Sequence, residues 1–216
     1  MPTDYGQNCK VHNLKIRYTS LQTIIHFSIL FWSKALKIIG ISGSLRAGSY
    51  NTALLKAVNN YSFNNVQYEI KSICNIPLYN EDVDGAKVPE EVALLIESIK
   101  TADALLFSTP EYNHCISGVL KNSIDWASRP AFNSSLKFKP CGILAASKSP
   151  VGGARAQASL KNILSSTLSP VFPAIEYLLP NAHEMFNSEG ELVDKTAHRR
   201  LERYVAGFIE WVEKQS

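Results

Sequence analysis

From residue 37 onward, short apolar runs alternate with stretches of helical period. The apolar runs are KIIGIS (37–42), YEIKSI (68–73), ALLFST (104–109) and CGILAAS (141–147), with a weaker one inside VFPAIEYLL (171–179). Several are apolar throughout, as expected of strands covered on both faces of a sheet. In VPEEVALLIESIKTA (88–102), Val92, Leu95, Ile96 and Ile99 recur at i, i+3, i+4 and i+7. Pro89 and the pair Glu90–Glu91 precede them, which suits the first turn of a helix and the positive end of its dipole. A last helix is predicted from Asp194, a good N-cap, with Leu201, Val205, Phe208 and Val212 on one stripe. Strand and helix alternating in this way predict a parallel sheet wrapped on both faces, with a ligand crevice at the carboxyl ends of the strands. The loops after strands one, three and four are thereby singled out for function.

Composition narrows the classes. A chain of 216 residues, 45% of them hydrophobic, suits one sizeable core better than two. The formal net charge is +3. Residues 1–36 carry Lys10, Lys15, Arg17 and Lys34 against Asp4 alone, so the remainder is neutral. No basic field recommends nucleic acid or an anionic membrane as partner. Cys9, Cys74, Cys115 and Cys141 lie far apart, with no C-x-x-C pair and no histidine at zinc-ligand spacing. Neither a metal site nor a disulfide framework is encoded, and a reducing, cytoplasmic setting is expected. The stretch SLQTIIHFSILFWSKAL is interrupted by His26 and Ser28 and falls short of the roughly 20 apolar residues that span a bilayer. It lacks the cleavage site of a signal peptide and the arginines of an organellar presequence. Residues 1–36 are expected to be a poorly ordered extension, or residues upstream of the functional start, leaving one domain over 37–216.

The first loop, GISGSLRAGSYN (40–51), joins an apolar run to a helical segment. Gly43 and Gly48 have Walker A separation, but Ser49 stands where the lysine is required, which disfavours nucleotide triphosphate hydrolysis. Gly40, Gly43 and Gly48 do not make a dinucleotide fingerprint either. A phosphate monoester fits what remains: N–H groups at a helix start, the hydroxyls of Ser44 and Ser49, the Asn51 amide and the Arg46 guanidinium. A tight turn with an N-cap serine is the competing interpretation.

The second loop, TPEYNHCISGVLKNSIDWASRP (109–130), resembles the P-E-Y-N-x-x-x-x-G-x-L-K-N-x-x-D-W pattern of the NAD(P)H-dependent FMN reductases, a flavodoxin-like group that includes chromate, quinone and azo-dye reductases. The first loop is similar to that family's G-S-x-R-x-x-S-x-N site. SPVGGARAQ (149–157) resembles its third flavin loop, and FNSEGELVDKTAHRRL is similar to its usual ending. The resemblance covers roughly 37–214. It implies an α/β flavodoxin-like three-layer sandwich with a five-stranded parallel sheet in the order 2-1-3-4-5. FMN would be the cofactor, NAD(P)H the co-substrate, and a free flavin, quinone, azo compound or chromate the small-molecule electron acceptor.

Carried over by residue, Ser44, Arg46, Ser49 and Asn51 would hold the FMN phosphate, with Tyr50 beside them. Pro110, Glu111, Tyr112 and Asn113 would line the isoalloxazine edge through main-chain groups, and Tyr112 would add apolar area. Ser147, Gly152 and Gly153 would approach the other end. Where the family often has glycine this chain has Ser149, which leaves the path of the third loop open. No side chain need act as acid or base, because the flavin carries the chemistry. The family also implies a homodimer or homotetramer. The rival class is a non-enzymatic FMN electron carrier of flavodoxin type, against which Arg46 and the neutral body count. His114 is expected to be a solvent-exposed filler, and Cys115 a small buried side chain. Asp125 and Trp126 are expected to serve packing, a cap or a subunit contact, and Lys121 and Asn122 match the family pattern without thereby becoming ligands. For Arg155 the exposed face of a helix and the crevice remain equal alternatives.

Overall fold

Residues 35–85 and 87–215 are described in the structure, a computed structural model. The expected extension therefore lies almost entirely outside the described residues. Five strands alternate with helices: β1 (Leu36–Ser42), α1 (Tyr50–Val58), β2 (Val66–Lys71), α2 (Glu90–Thr101), β3 (Ala104–Thr109), α3 (Gly118–Ala127), β4 (Cys141–Ala146), α4 (Ala154–Ser166), β5 (Tyr177–Leu179), the short α5 (Ala182–Met185) and α6 (Lys195–Glu213). All neighbouring strands are parallel, in the order β2-β1-β3-β4-β5. This is the flavodoxin-like order expected from the sequence.

The inner strands β3 and β4 are buried at every position. Alternate residues therefore feed two separate cores. Ile38, Leu106 and Leu144 pack with α1 and α6, whereas Ile39, Phe107 and Ile143 pack with α2, α3 and α4. The α6 stripe is realised: Leu201, Val205, Phe208 and Val212 are all buried, and the Asp194 carboxylate caps the helix by accepting from the Ala197 N–H at 2.7 Å.

Two sequence expectations shift. The second strand begins at Val66, two residues before the expected 68, because Val66 pairs with Leu36 at the start of β1. The fifth strand shrinks to three residues. Val171 makes only an isolated bridge to Cys141, and Pro173, which has no N–H to donate, breaks the run before Tyr177.

Tyr68 on the edge strand β2 crosses over β1 toward Gly40. A Cβ at Gly40 would stand 2.5 Å from the Tyr68 hydroxyl, so the absent side chain makes room for the phenol. That hydroxyl is buried without a hydrogen-bond partner among the described residues, and an unmet buried donor costs roughly 1–3 kcal/mol. Tyr68→Phe is therefore expected to raise unfolding stability by about 1 kcal/mol, seen as a higher urea midpoint at unchanged slope. A lower midpoint would show that the hydroxyl is satisfied in solution.

Candidate functional site

The loops after β1, β3 and β4 meet at the carboxyl ends of those strands, and side-chain bonds beneath them fix their positions. Ser49 is the N-cap of α1, its hydroxyl accepting from the Thr52 N–H at 3.2 Å. The first-turn N–H groups of Tyr50 and Asn51 have no intrahelical acceptor, as at any helix start, and are available to an anion. Ser44 is half-buried at the rim and Arg46 is exposed. No carboxylate pairs with Arg46 among the described residues; its guanidinium lies 5.1 Å from the centre of the Tyr50 ring, which stacks at 5.4 Å on Phe186. Arg46 is thus steered by an aromatic face while its charge stays uncommitted.

Asn51 departs from its expected use. Its side chain is 3% exposed and turned into the sheet. The amide oxygen accepts from the Ala146 N–H at 2.9 Å and the Ser108 hydroxyl at 3.0 Å, and the amide nitrogen donates to the Ala146 carbonyl at 3.0 Å. Only its main-chain N–H is left to face a ligand. Ser117, the N-cap of α3, donates to the Gly43 carbonyl at 2.5 Å and ties the first loop to the second. A side chain at Gly43 would be tight, since a Cβ would stand 3.1 Å from Leu120 and 3.2 Å from the Ser117 hydroxyl. Sequence reasoning missed Ser108 and Ser117, which lie inside or beside apolar runs and whose partners, Asn51 and Gly43, are remote in the chain.

In the second loop, Pro110 is buried while Tyr112 and Asn113 are exposed. Tyr112 and Cys115 exchange main-chain hydrogen bonds of 3.0 Å around Asn113 and His114, whose φ values are 50° and 65°. Positive φ at both central residues makes this a tight turn of the primed kind. It presents the Tyr112 ring to solvent. His114 is exposed, as expected, but Cys115 is exposed too, against expectation, with Sγ 3.1 Å from the Ser159 hydroxyl. It sits in the turn, before the helix that would have buried it.

Glu111 joins the second loop to the third. Its carboxylate accepts from the Arg155 N–H at 3.0 Å, from the Ala156 N–H at 3.4 Å and from the Arg155 guanidinium at 3.0 Å. It thereby closes the open N-terminus of α4. Arg155, for which the sequence left two placements, is the partner in this clasp. Burial pushes the Glu111 carboxyl up, but these donors outweigh it and hold the carboxyl below its ordinary value. Gly152 and Gly153 enter α4 with φ of 67° and 91°; a Cβ on Gly153 would stand 2.8 Å from that of Ala145. Both positions demand glycine twice over, for conformation and for contact. Ser147 lies between them and the sheet, its N–H bonded to the Leu179 carbonyl and its carbonyl accepting from Ala182.

The first and second loops enclose a crevice of about 500 Å³ in which Ser44 and Arg46 face Tyr112, with apolar walls from Leu45, Leu78 and Val119. Asn122 touches it but is committed elsewhere: its amide donates to the Pro77 carbonyl and accepts from the Tyr79 N–H, both at 2.8 Å. Trp126 is buried and donates to the same Pro77 carbonyl at 2.8 Å, and Lys121 pairs with Asp125 at 2.8 Å. Asn122 and Trp126 thus hold α3 to the segment at Pro77–Tyr79, in keeping with the packing expected of Trp126, while Lys121 and Asp125 pair along the surface of α3.

A model of the NADPH-dependent FMN reductase family matches residues 36–184. The chain belongs to that family. It is 41% identical over 182 residues to an NAD(P)H-dependent FMN reductase of Pseudomonas aeruginosa, covering 84% of this chain and 98% of that one. A quinone reductase of Pseudomonas putida is 34% identical over 181 residues, covering 84% and 97%. The solved structure of FerB, a flavoenzyme NAD(P)H:(acceptor) oxidoreductase from Paracoccus denitrificans, superposes with a TM-score of 0.76 at 34% identity, covering 83% and 98%.

The residues present fit the family's cofactor. A doubly charged phosphate finds helix N–H groups, a hydroxyl and an unpaired guanidinium at one end. A planar ring would find the exposed face of Tyr112 in the crevice, whereas Gly152 and Gly153 lie in the third loop and are not among the crevice's lining residues. The Glu111 clasp between the second and third loops has an acid limb. With its carboxyl held low, its stabilisation is complete above the ordinary value of 4.5 and is lost as pH falls through the lowered folded value. Glu111→Gln is therefore expected to lose less stability than the parent between about pH 6 and pH 3. Urea midpoints across that range check it, and parallel curves would deny the clasp.

Proposed function

We propose that this protein is an NAD(P)H-dependent FMN oxidoreductase that reduces a small-molecule acceptor, such as a free flavin, quinone, azo compound or chromate. The observation that carries this reading is the crevice itself, which Ser44, an uncommitted Arg46 and Tyr112 line together with the apolar Leu45, Leu78 and Val119. FMN, when bound, supplies the two-electron chemistry between NAD(P)H and the acceptor. The chain's own residues bind, orient and polarise. Ser44, Arg46, Ser49 and the N–H groups of Tyr50 and Asn51 hold the phosphate end. Pro110, Glu111, Tyr112 and Asn113 offer main-chain groups to the ring edge, and Ser147, Gly152 and Gly153 close its other side. Fixed N–H donors at that edge favour added negative charge without reorganising. Tyr112 leaves one face open for a planar acceptor to stack.

The direct test is anaerobic rapid mixing of the FMN-loaded protein with NADH or NADPH. Loss of the bound flavin's visible absorption supports the enzyme. Absorption that persists favours a carrier, and failure to bind FMN at all rejects the site. Arg46→Ala is expected to weaken FMN binding about 10- to 100-fold, the scale of a hydrogen bond to a charged group. Riboflavin, which lacks the phosphate, should bind the variant and the parent alike. An equal loss for both flavins would remove Arg46 from the phosphate site.

The same reading makes the protein a cytoplasmic homodimer or homotetramer. The unpaired thiols of Cys74, Cys115 and Cys141 support the location, and no helix among the described residues is long and apolar enough to cross a membrane. Leu78, 84% exposed at the mouth of the crevice beside Leu45 and Tyr112, supports the assembly. Residues 37–216 constitute the working domain in this reading. A chain starting at Ala35 is expected to bind FMN as the full chain does, and titration of the two side by side checks it.

A further inference from the structure

A cavity of about 440 Å³ lies at the β5 edge of the sheet, between α6 and the chain that leads into that strand, and shares no lining residue with the crevice. Phe172, Tyr177 and Tyr204 line it, Tyr204 packing edge-to-face with the other two at centroid distances of 5.4 and 6.2 Å. Both phenols are spent: the Tyr177 hydroxyl donates to the Ala197 carbonyl at 3.1 Å, and the Tyr204 oxygen accepts from the Ile143 N–H at 2.9 Å. Ile175 also lines the cavity and is 89% exposed.

The charged groups in this lining are chiefly cations. Arg200 is held over the Tyr177 ring at 5.3 Å, with one N–H donated to the Leu178 carbonyl at 3.1 Å. Arg203 makes no hydrogen bond or ion pair among the described residues. Three residues apart on α6, the two are surface neighbours of like charge, and no acid stands three or four residues from either to offset them. Glu176, which also lines the cavity, is already paired with Lys161 at 2.6 Å.

We propose that this cavity binds a planar aromatic carboxylate, its ring against Phe172 and Tyr204 and its carboxylate on Arg200 and Arg203. The volume lies within the range of small-molecule sites. Guanidiniums offer donors and no acceptor, so the ligand must bring negative charge, and their planar fork matches a carboxylate. The aromatic walls favour a flat, rigid body, which loses little entropy on entry. Such a ring would also cover Ile175, an apolar side chain otherwise left in water.

2-Naphthoate and 2-naphthamide separate the contributions of ring and charge, because they share size and shape and differ in the carboxylate. With the full-length, FMN-loaded protein carrying isotope-labelled methyl groups, 2-naphthoate is expected to shift the signals of Ala174 and Ile175 and to leave those of Leu45, Leu78 and Val119 in place. The proposal does not rest on the flavin, so the protein without FMN should show the Ala174 and Ile175 shifts too. Arg203→Gln is expected to weaken 2-naphthoate about fivefold or more, the scale of a charge-assisted hydrogen bond partly screened by solvent, and to leave 2-naphthamide nearly unchanged. Lys195→Gln, which removes an exposed charge of α6 outside the lining, should leave both probes unchanged. The folded spectrum of each variant is read in the same experiment. Shifts confined to the crevice methyls, no shift at saturating 2-naphthoate, an equal loss for both probes in Arg203→Gln, or an equal loss of 2-naphthoate in Lys195→Gln and Arg203→Gln would overturn the proposal.

Discussion

The buried amide of Asn51 is the constraint on which the site depends. It sits in the first turn of α1 and makes three hydrogen bonds, two to the main chain of Ala146 at the end of β4 and one to Ser108 near the end of β3. The carboxyl ends of β3 and β4 are thereby tied by one side chain to the helix that follows the loop after β1. Low surrounding dielectric strengthens each of these bonds and makes each of them costly to leave unmade. The helix start that offers N–H groups to an anion is positioned by the sheet, not by the loop that contains it.

Two further ties extend this arrangement outward. Ser117 holds the Gly43 carbonyl, which fixes the first loop against the start of α3. Glu111 closes the start of α4 and carries the second loop to the third. The start of α4 is thus closed by a residue of another loop, while Asn51 ties the start of α1 to the sheet and Ser117 ties the start of α3 to the first loop, so the three loops are linked around the crevice. Such a linkage suits a reaction in which the cofactor performs the chemistry and the protein must only hold it still, keep one face open and surround its charged end with fixed donors.

Much of the fold was legible because the patterns are local. The runs of β3 and β4 are apolar throughout as both of their faces are covered, and the α6 stripe follows a helical period behind a capping aspartate. β2 was misplaced because Ile73 is apolar and buried yet belongs to the core on the other face, beyond the strand's end. The first two loops could be read as a pair since each has residue types with few other uses together. What stayed hidden is long-range: the inward turn of Asn51, the bond from Ser108, and the pairing of Glu111 with a helix 44 residues away. An asparagine beside a phosphate loop has the same letter whether it faces the ligand or the sheet. Cys115 was misjudged for a related reason, because its exposure follows from the two positive-φ residues before it, and Asn–His does not announce that turn.

The most direct test of this account is Asn51→Leu, which keeps the volume and removes the amide, measured by urea unfolding together with FMN and riboflavin affinities. Loss of the amide strands the Ala146 main chain and the Ser108 hydroxyl, so a destabilisation of several kcal/mol is predicted at roughly 1–3 kcal/mol per unmet group. Both flavins should lose affinity together, because the loops that hold ring and phosphate share the tie. Unchanged stability with a loss confined to FMN would contradict the account and return Asn51 to the phosphate as a direct ligand.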